Sequence, residues 1–514
     1  MRAVAMMSLV RNISRIPSLV AGKASMRLLS VPRAALLLVV TVVVMLATGD
    51  PRLGSSAQGQ AKPNIVFVLT DDQFPGTENA MRALNNNITS QGAKFTNMTS
   101  TFPLCCPGRA TILRGQYAHN THIYGNSLPR GGWEKFRNQG LQNSNIATWL
   151  NNAGYQTGLF GKYLNNYRGL TIPRGWDRWY AWNGGYEGWT HLDDQGTGKD
   201  LSPQVADSGV SDEALKFLDN RVDKSAPVFA FVNFGAEHEP YHYAQTDADR
   251  FKGMGVLRTR AFNEDNVSDK PSKVRNLPRL SSSKISELDQ GYRKGLRSLM
   301  RVDRFVGRAS DLLRRKGEMR NTYFVFYTDN GVNFGQHRLE HSKLQPYEED
   351  TGFPLIVRGP GIPHGVRNGD PLGNHDIAPT LARMGGANVP AFVDGRSFLT
   401  LAKNPTTTWP RTAVLSERET DNVPPALWGM LRMPGKSYTH YKNGEKEYYN
   451  LIKDPYQVHN ALGASDTTYS PPDKATLAYY EQRLNALYAC SGHEGPGSCF
   501  VAENAALLPT GTTP

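Results

Sequence analysis

Cysteine is scarce in this chain: four residues among 514, at positions 105, 106, 490 and 499. So few thiols allow few disulfides. No second cysteine or histidine cluster stands at zinc-binding spacing, which excludes a structural zinc module. No basic run is interleaved with aromatics, so the usual footprint of a nucleic-acid binder is missing and no nucleic-acid partner is expected. Internal repeats and coiled-coil heptads are absent, which removes solenoids and long rods. Long apolar runs are absent too. The stretch Ala34 to Thr48 (AALLLVVTVVVMLAT) ends after 15 residues, short of the ~20 that a spanning helix needs.

That stretch follows Arg2, Arg11, Arg15, Lys23, Arg27 and Arg33 with no acid among the first 33 residues, and Ser55-Ser56-Ala57 offers a small-residue cleavage site behind it. The pattern is that of a signal peptide over residues 1–57 and predicts an exported protein, secreted, periplasmic or lumenal. An uncleaved membrane anchor is the alternative. The net charge of +12 then overstates the mature protein, because residues 1–57 hold seven Lys plus Arg and one acid, and +6 is left after cleavage. This excess suits an anionic substrate. In an exported chain Cys490 and Cys499, at the ends of CSGHEGPGSC, are close enough to pair, leaving Cys105 and Cys106 free. Asn87, Asn97 and Asn266 fit the glycosylation pattern NxS/T.

At 514 residues the chain exceeds what one core usually supports, so a large domain with a smaller companion is expected. Three apolar runs too short for helices read as buried parallel strands, and each ends in polar residues. Asn64 to Leu69 leads to Asp71 and Asp72, Pro227 to Phe234 to the segment with Glu237 and His238, and Tyr323 to Tyr327 to Asp329 and Asn330. Ligands gather at the carboxyl ends of strands in open α/β sheets, so the three ends together describe a site. Helices are expected after Ser211 as cap, and from Ile285 to about Gly317, with glycines 291, 295 and 307 threatening continuity. From about Thr408 short strands, an Asn443-Gly444 hairpin and a helix near Lys474 to Tyr488 indicate a smaller α+β unit with a loop-like tail. Asp247 to Ser283 reads as an insertion or substrate-side loop. The expected fold is α/β, a mostly parallel sheet flanked by helices over residues 58–407, with a smaller C-terminal domain over 408–514.

Leu104 to Gly115 (LCCPGRATILRG) organises the functional reading. Proline is tolerated in a first helical turn, so Cys105 stands at or just before a helix N-terminus, where unpaired NH groups favour an anion. Asp71, Asp72, Asp329 and Asn330 are hard oxygen donors, which select calcium or magnesium without choosing between them.

The spacing CxPxR at Cys105, Pro107 and Arg109 resembles the first signature of the type I sulfatases, whose cysteine becomes formylglycine. Gly154-Tyr155-Gln156-Thr157 with Gly161-Lys162-Tyr163 resembles the second signature. The resemblance covers about Lys62 to Leu462 and implies an alkaline phosphatase-like fold, with formylglycine at Cys105 made by a formylglycine-generating enzyme. It also implies Ca2+ (or Mg2+) held by Asp71, Asp72, Asp329, Asn330 and the residue at 105, Arg109 favouring ionisation of the attacking hydroxyl with the cation, and charge on the sulfuryl oxygens stabilised by Lys162, His238 and Lys343. His238 or Lys343 would protonate the leaving oxygen. Two positions depart from the family: Gly108 replaces its usual serine, and Leu164 stands where many members have histidine. CCPGR, KYLN and the CSG tail look closest to N-acetylglucosamine-6-sulfatases, which implies a sulfated glycan as substrate, with sulfated small molecules, including aryl sulfates, and phosphate esters as alternatives. A non-catalytic protein holding anionic carbohydrate is the rival outside enzymes.

Overall fold

The three apolar runs that end in polar residues become neighbouring strands of one sheet. The computed structural model describes residues 62–169, 172–183, 189–192, 198–201, 203–419, 427–465 and 467–505. The leader expected at residues 1–57 lies outside them, and no helix among the described residues is long and apolar enough to cross a membrane.

Among the described residues ten strands form the main sheet. They are β1 (Asn64–Thr70), β2 (Ala93–Phe95), β3 (Gln156–Gly161), β4 (Arg178–Asn183), β5 (Trp189–Leu192), β6 (Gly198–Leu201), β7 (Val228–Asn233), β8 (Thr322–Thr328), β9 (Leu355–Arg358) and β10 (Val366–Asn368). Their order is β10-β2-β9-β8-β1-β7-β3-β4-β5-β6. The centre, from β8 through β1, β7 and β3 to β4, is parallel, with antiparallel pairs toward the edges. Every residue of β1, β7 and β8 is buried, as expected for strands covered on both faces. Register matters most for the site: Leu69 and Gly161 both stand opposite Asn233, and Thr70 opposite Thr328. The carboxyl ends of β1, β3, β7 and β8 therefore finish side by side.

Helices cover the sheet. The helix α1 (Cys105–Arg114) is buried along its whole length. The next, α2 (Pro203–Arg221), packs on β3 and β7 and on α3 (Ser282–Arg315). Ser211 lies inside α2 and is not its cap. The helix starts earlier because Pro203 suits a first turn. Helix α3 starts from a Ser281 cap and runs unbroken for 34 residues through all three glycines. Gly295 is there for close approach, since a Cβ on it would stand 2.6 Å from Glu237 Oε1. The segment 247–283 has little regular structure, as its composition predicts, but it is tied down: buried Lys270 donates to the Gln457 and Val458 carbonyls at 2.6 and 2.7 Å.

A second, antiparallel sheet follows, made of β11 (Val414–Arg418), β12 (Trp428–Met433), β13 (Lys436–Tyr441) and β14 (Lys446–Asn450), with the Asn443-Gly444 turn between the last two. The helix α4 (Lys474–Tyr488) packs against it, and Leu415, Leu431, Tyr438, Leu484 and Leu487 share its core. The tail is not the expected loop. Cys490 and Cys499 are joined by a disulfide, and the helix α5 (Cys499–Asn504) carries Glu503 into the interior. There Glu503 accepts hydrogen bonds from Tyr117 Oη at 2.7 Å, Arg411 Nε at 2.8 Å and Arg396 at 3.1 Å. Burial alone would raise its carboxyl, but Arg411, His375 and Arg396 outweigh it and hold the group charged. The signal was one acid in an apolar tail, which sequence patterning cannot separate from a solvated one.

Candidate active site

The carboxyl ends of four strands and the N-terminus of α1 meet at one point. Asp71 follows β1, and its backbone is locked to the loop after β7 by two hydrogen bonds, from its NH to the Ala236 carbonyl (2.9 Å) and from the Glu237 NH to its own carbonyl (2.7 Å). Asp72 adopts a left-handed φ of 49°, which aspartate tolerates better than most residues. Gly161 ends β3 at a φ of 96° with its Cα against the Asn233 carbonyl, where a Cβ would stand 1.8 Å from the oxygen. Only glycine permits that approach, and it turns Lys162 toward Asp71.

The side chains interlock. Asp71 Oδ2 accepts from Lys162 Nζ and lies 3.5 Å from an Arg109 nitrogen. Asp72 accepts from Lys343 Nζ on both oxygens at 2.7 Å and from Asn330 Nδ2 at 2.6 Å, with His238 Nε2 3.3 Å away. Asp329 Oδ2 accepts from Arg109 Nε at 2.7 Å, and its Oδ1 from the Asn330 NH at 2.8 Å. The Cys105 sulfur sits among them, 3.0 Å from Lys343 Nζ, 3.6 Å from Asp71 Oδ1 and 3.8 Å from Asp72 Oδ1. The structure thus brings together Asp71, Asp72, Cys105, Arg109, Lys162, His238, Asp329, Asn330 and Lys343. Sequence reasoning missed Asn233, whose Oδ1 accepts from Arg109 at 3.1 Å and so aims the guanidinium. A polar residue ending the run VFAFVN was its one sign.

Three carboxylates and the cations of Arg109 and Lys162 are packed here almost entirely out of water, and Lys343 is partly buried beside them. Burial by itself would raise every one of the acids. Lys162 and Arg109 reverse this at Asp71, and Lys343 and His238 at Asp72, so both stay below the ordinary carboxylate range. At Asp329 burial and the charge on Asp71 win over Arg109, and the carboxyl is raised. Burial likewise pushes the Cys105 thiol up to about 12, against the pull of Lys162 and Lys343. At neutral pH it is a thiol and not a thiolate, which is a poor nucleophile as it stands.

The residues fit a hard divalent cation. Ligand atoms of Asp71, Asp72, Cys105 and His238 all lie within 4.8 Å of one another. The Asn330 amide spends its NH2 on Asp72 and the Gly331 carbonyl, while its Oδ1 is buried without a hydrogen-bond partner among the described residues. An orphaned buried acceptor costs about 1–3 kcal/mol, and a cation would satisfy it.

The departures from the expected motif have local causes. Leu164 is buried in the main core. Gly108 lies in the first turns of α1, where a Cβ would stand 2.7 Å from the Asp329 carbonyl oxygen. Gly108→Ala is accordingly expected to push β8 away at the residue that carries the Asp329 carboxylate. It should cost about 1–3 kcal/mol of stability, in the range of an overpacked core, and weaken divalent-cation binding. Unfolding midpoints with and without added calcium measure both, and an unchanged midpoint would show that the two backbones separate freely.

Comparison with known proteins now bears on this geometry. The sulfatase family model matches residues 63–387, and a model for the C-terminal region of N-sulphoglucosamine sulphohydrolase matches residues 335–471. A putative extracellular sulfatase Sulf-1 homolog of Caenorhabditis elegans is 34% identical over 350 residues, covering 66% of this chain. The chain spans 49% of that relative's length. N-acetylglucosamine-6-sulfatase of Capra hircus is 30% identical over 492 residues, 86% of each chain. Among solved structures, a protein in complex with its substrate D-glucosamine-2-N,6-O-disulfate superposes with a TM-score of 0.62 at 23% identity, over 83% of this chain and 97% of that one. That likeness concerns the fold.

Proposed function

Because the chain belongs to the sulfatase family, we propose that it is a sulfuric ester hydrolase whose substrate is a sugar 6-O-sulfate, on N-acetylglucosamine or the end of a sulfated glycan. One observation carries the reading: Cys105, in the frame CCPGR, opens a buried helix with its sulfur in contact with Lys343 and beside Asp71 and Asp72. We read 58–407 as the catalytic domain and 408–514 as its smaller companion, in a protein exported through its N-terminal segment.

In this reading Cys105 is oxidised during maturation by a formylglycine-generating enzyme. The hydrated formylglycine supplies a geminal diol, one hydroxyl to attack sulfur and the other to release sulfate as the aldehyde reforms, so one difficult step becomes two easier ones. Asp71, Asp72, Asp329 and Asn330 hold the divalent cation, read as calcium, which supplies charge neutralisation at the sulfate oxygens. Arg109 is aimed by Asp329 and Asn233. Lys162 and Lys343 each bring a positive charge to the sulfuryl group from inside the protein, where preorganised charges act most strongly. His238 touches Asp72 on one side and lines a cavity of about 780 Å³ on the other. His238 or Lys343 gives the proton to the alcohol as the sugar leaves.

The test is one preparation, co-expressed with a formylglycine-generating enzyme and supplied with calcium, offered 6-sulfated N-acetylglucosamine, nitrophenyl sulfate and nitrophenyl phosphate. Sulfate release from the sugar, at a kcat/KM above that of either nitrophenyl ester, is the expected result. A higher kcat/KM on the aryl sulfate, with the sugar neither reacting nor inhibiting, would leave a sulfatase of another substrate class. Faster phosphate release would replace sulfatase by phosphoesterase.

A further inference from the structure

The cavity beside His238 is lined on one wall by residues 238–243 and on the other by Glu287, Gln290, Gly291 and Lys294 of α3. For a protein with an overall positive charge its charge pattern is unexpected. Glu239, adjacent to His238 in sequence, lines the opening with its side chain 55% exposed, and it is not a loose surface group. His341 Nδ1 stands 3.4 Å from its Oε1, and the Tyr241 hydroxyl stands 3.3 Å from His341 Nε2. The His341 ring is itself held against Phe334, centroid to centroid 4.6 Å. His341, helped by Tyr241, keeps the Glu239 carboxyl below its ordinary range and hence charged at neutral pH. The arrangement ties the loop of His238 to the loop of Lys343, so the carboxylate is fixed relative to both.

The other charged groups of the cavity lie on α3. Tyr241 meets α3 at Gly291, where a Cβ would come 3.4 Å from its hydroxyl, while Tyr243 meets it at Arg297, whose guanidinium lies 5.5 Å from the ring centre. These levels are about 9 Å apart along the helix. Lys294 lies between them, a turn away from Gly291, and Glu287 lies a turn on the other side and pairs with Lys284 at 2.8 Å. The charged groups that face the space are thus His238, Glu239, Glu287 and Lys294, with His341 behind Glu239. Of the two carboxylates, Glu239 is the one beside His238 and hence beside the reacting sulfate of the proposed function.

We propose that Glu239 is a specificity-determining residue that restricts the sugar in this cavity to one whose only anionic group is the sulfate being removed. The inference rests on the sugar-sulfate reading above. A carboxylate accepts hydrogen bonds from hydroxyl and amide NH groups, which a neutral N-acetylated sugar offers. It repels a second sulfate on the same ring wherever on the ring it is placed, because the ring is smaller than the distance over which the repulsion acts at low salt. Like charges brought together at a recognition surface act chiefly against the wrong partner.

The experiment compares kcat/KM for 6-sulfated N-acetylglucosamine and for glucosamine carrying both N- and 6-O-sulfate, with wild type and Glu239→Gln. Wild type is expected to favour the N-acetyl substrate at least about tenfold, and Glu239→Gln to shrink that ratio about tenfold, mainly through a lower KM for the disulfate. As a measurement independent of the variant's folding, raising salt from 0.02 to about 0.3 M should narrow the wild-type ratio, because screening weakens repulsion. A wild type that takes both sugars equally, a ratio untouched by salt, or a variant that loses both activities in proportion would overturn the assignment, the last by showing a purely structural role. Turnover of nitrophenyl sulfate with neither sugar accepted would overturn it too, by removing the sugar reading itself and not the charge argument.

Discussion

Cys105→Ala is expected to abolish turnover while leaving the fold in place. In the proposed chemistry the residue at 105 is the nucleophile, and nothing within reach can substitute for it. Lys343 and Lys162 are engaged with Asp72 and Asp71, and Cys106 faces the core, its backbone NH bonded to Asn126. Loss of a covalent nucleophile should lower kcat/KM by at least about 10³-fold. Stability should move little. The substitution removes one sulfur atom from a polar cluster, with no backbone hydrogen bond at stake, and an effect under about 1.5 kcal/mol is expected. Three measurements on the same preparation decide the matter: sulfate release, the unfolding midpoint, and the mass of the tryptic peptide spanning residue 105. In active wild type that peptide should carry an aldehyde. Full activity with an unmodified thiol would end the formylglycine reading, and so would an alanine variant that still turns over.

Much of the site was legible because its parts follow strand ends. An apolar run that stops at a carboxylate is visible in one dimension, and three such runs imply a shared edge once the sheet is taken as parallel. Helix α1 was legible from proline and the residues after it. What was hidden has a common physical character: it consists of pairings between distant segments. Asn233 looks like the end of a strand until Arg109 is placed beside it. Glu239 and His341, about a hundred positions apart, carry no motif and meet because the loops of His238 and Lys343 converge. The glycines of α3 reduced its expected continuity by local propensity, and tertiary packing against Glu237 overrode that. Glu503 illustrates the same limit, since only the fold reveals that a tail acid is enclosed by Arg411, Arg396, His375 and Tyr117.

Removing the Asp329 carboxylate is expected to remove both metal and activity, and the two routes by which it could fail are separable. Asp329 follows β8 and holds Arg109 Nε, so Asp329→Ala takes one of two carboxylates away from a buried guanidinium, which keeps Asp71 at 3.5 Å and the Asn233 side chain. The unsatisfied buried donor alone costs about 1–3 kcal/mol, enough to confuse loss of metal with loss of structure in a marginal protein. Asp329→Asn separates them. The amide oxygen can still accept from Arg109 Nε, so the helix and strand stay joined, but the negative charge that offsets a divalent cation is gone. Bound calcium, measured by atomic emission after dialysis, should fall from one per chain to a small fraction, and sulfate release should fall by about 10³-fold, the scale of a lost charge-stabilising ion. Burial and Asp71 raise the Asp329 carboxyl against the pull of Arg109, so a bound cation would favour its charged form. A folded Asp329→Asn variant that keeps stoichiometric calcium would remove Asp329 from the ligand set, and calcium-free wild type with full activity would remove the metal from the reaction.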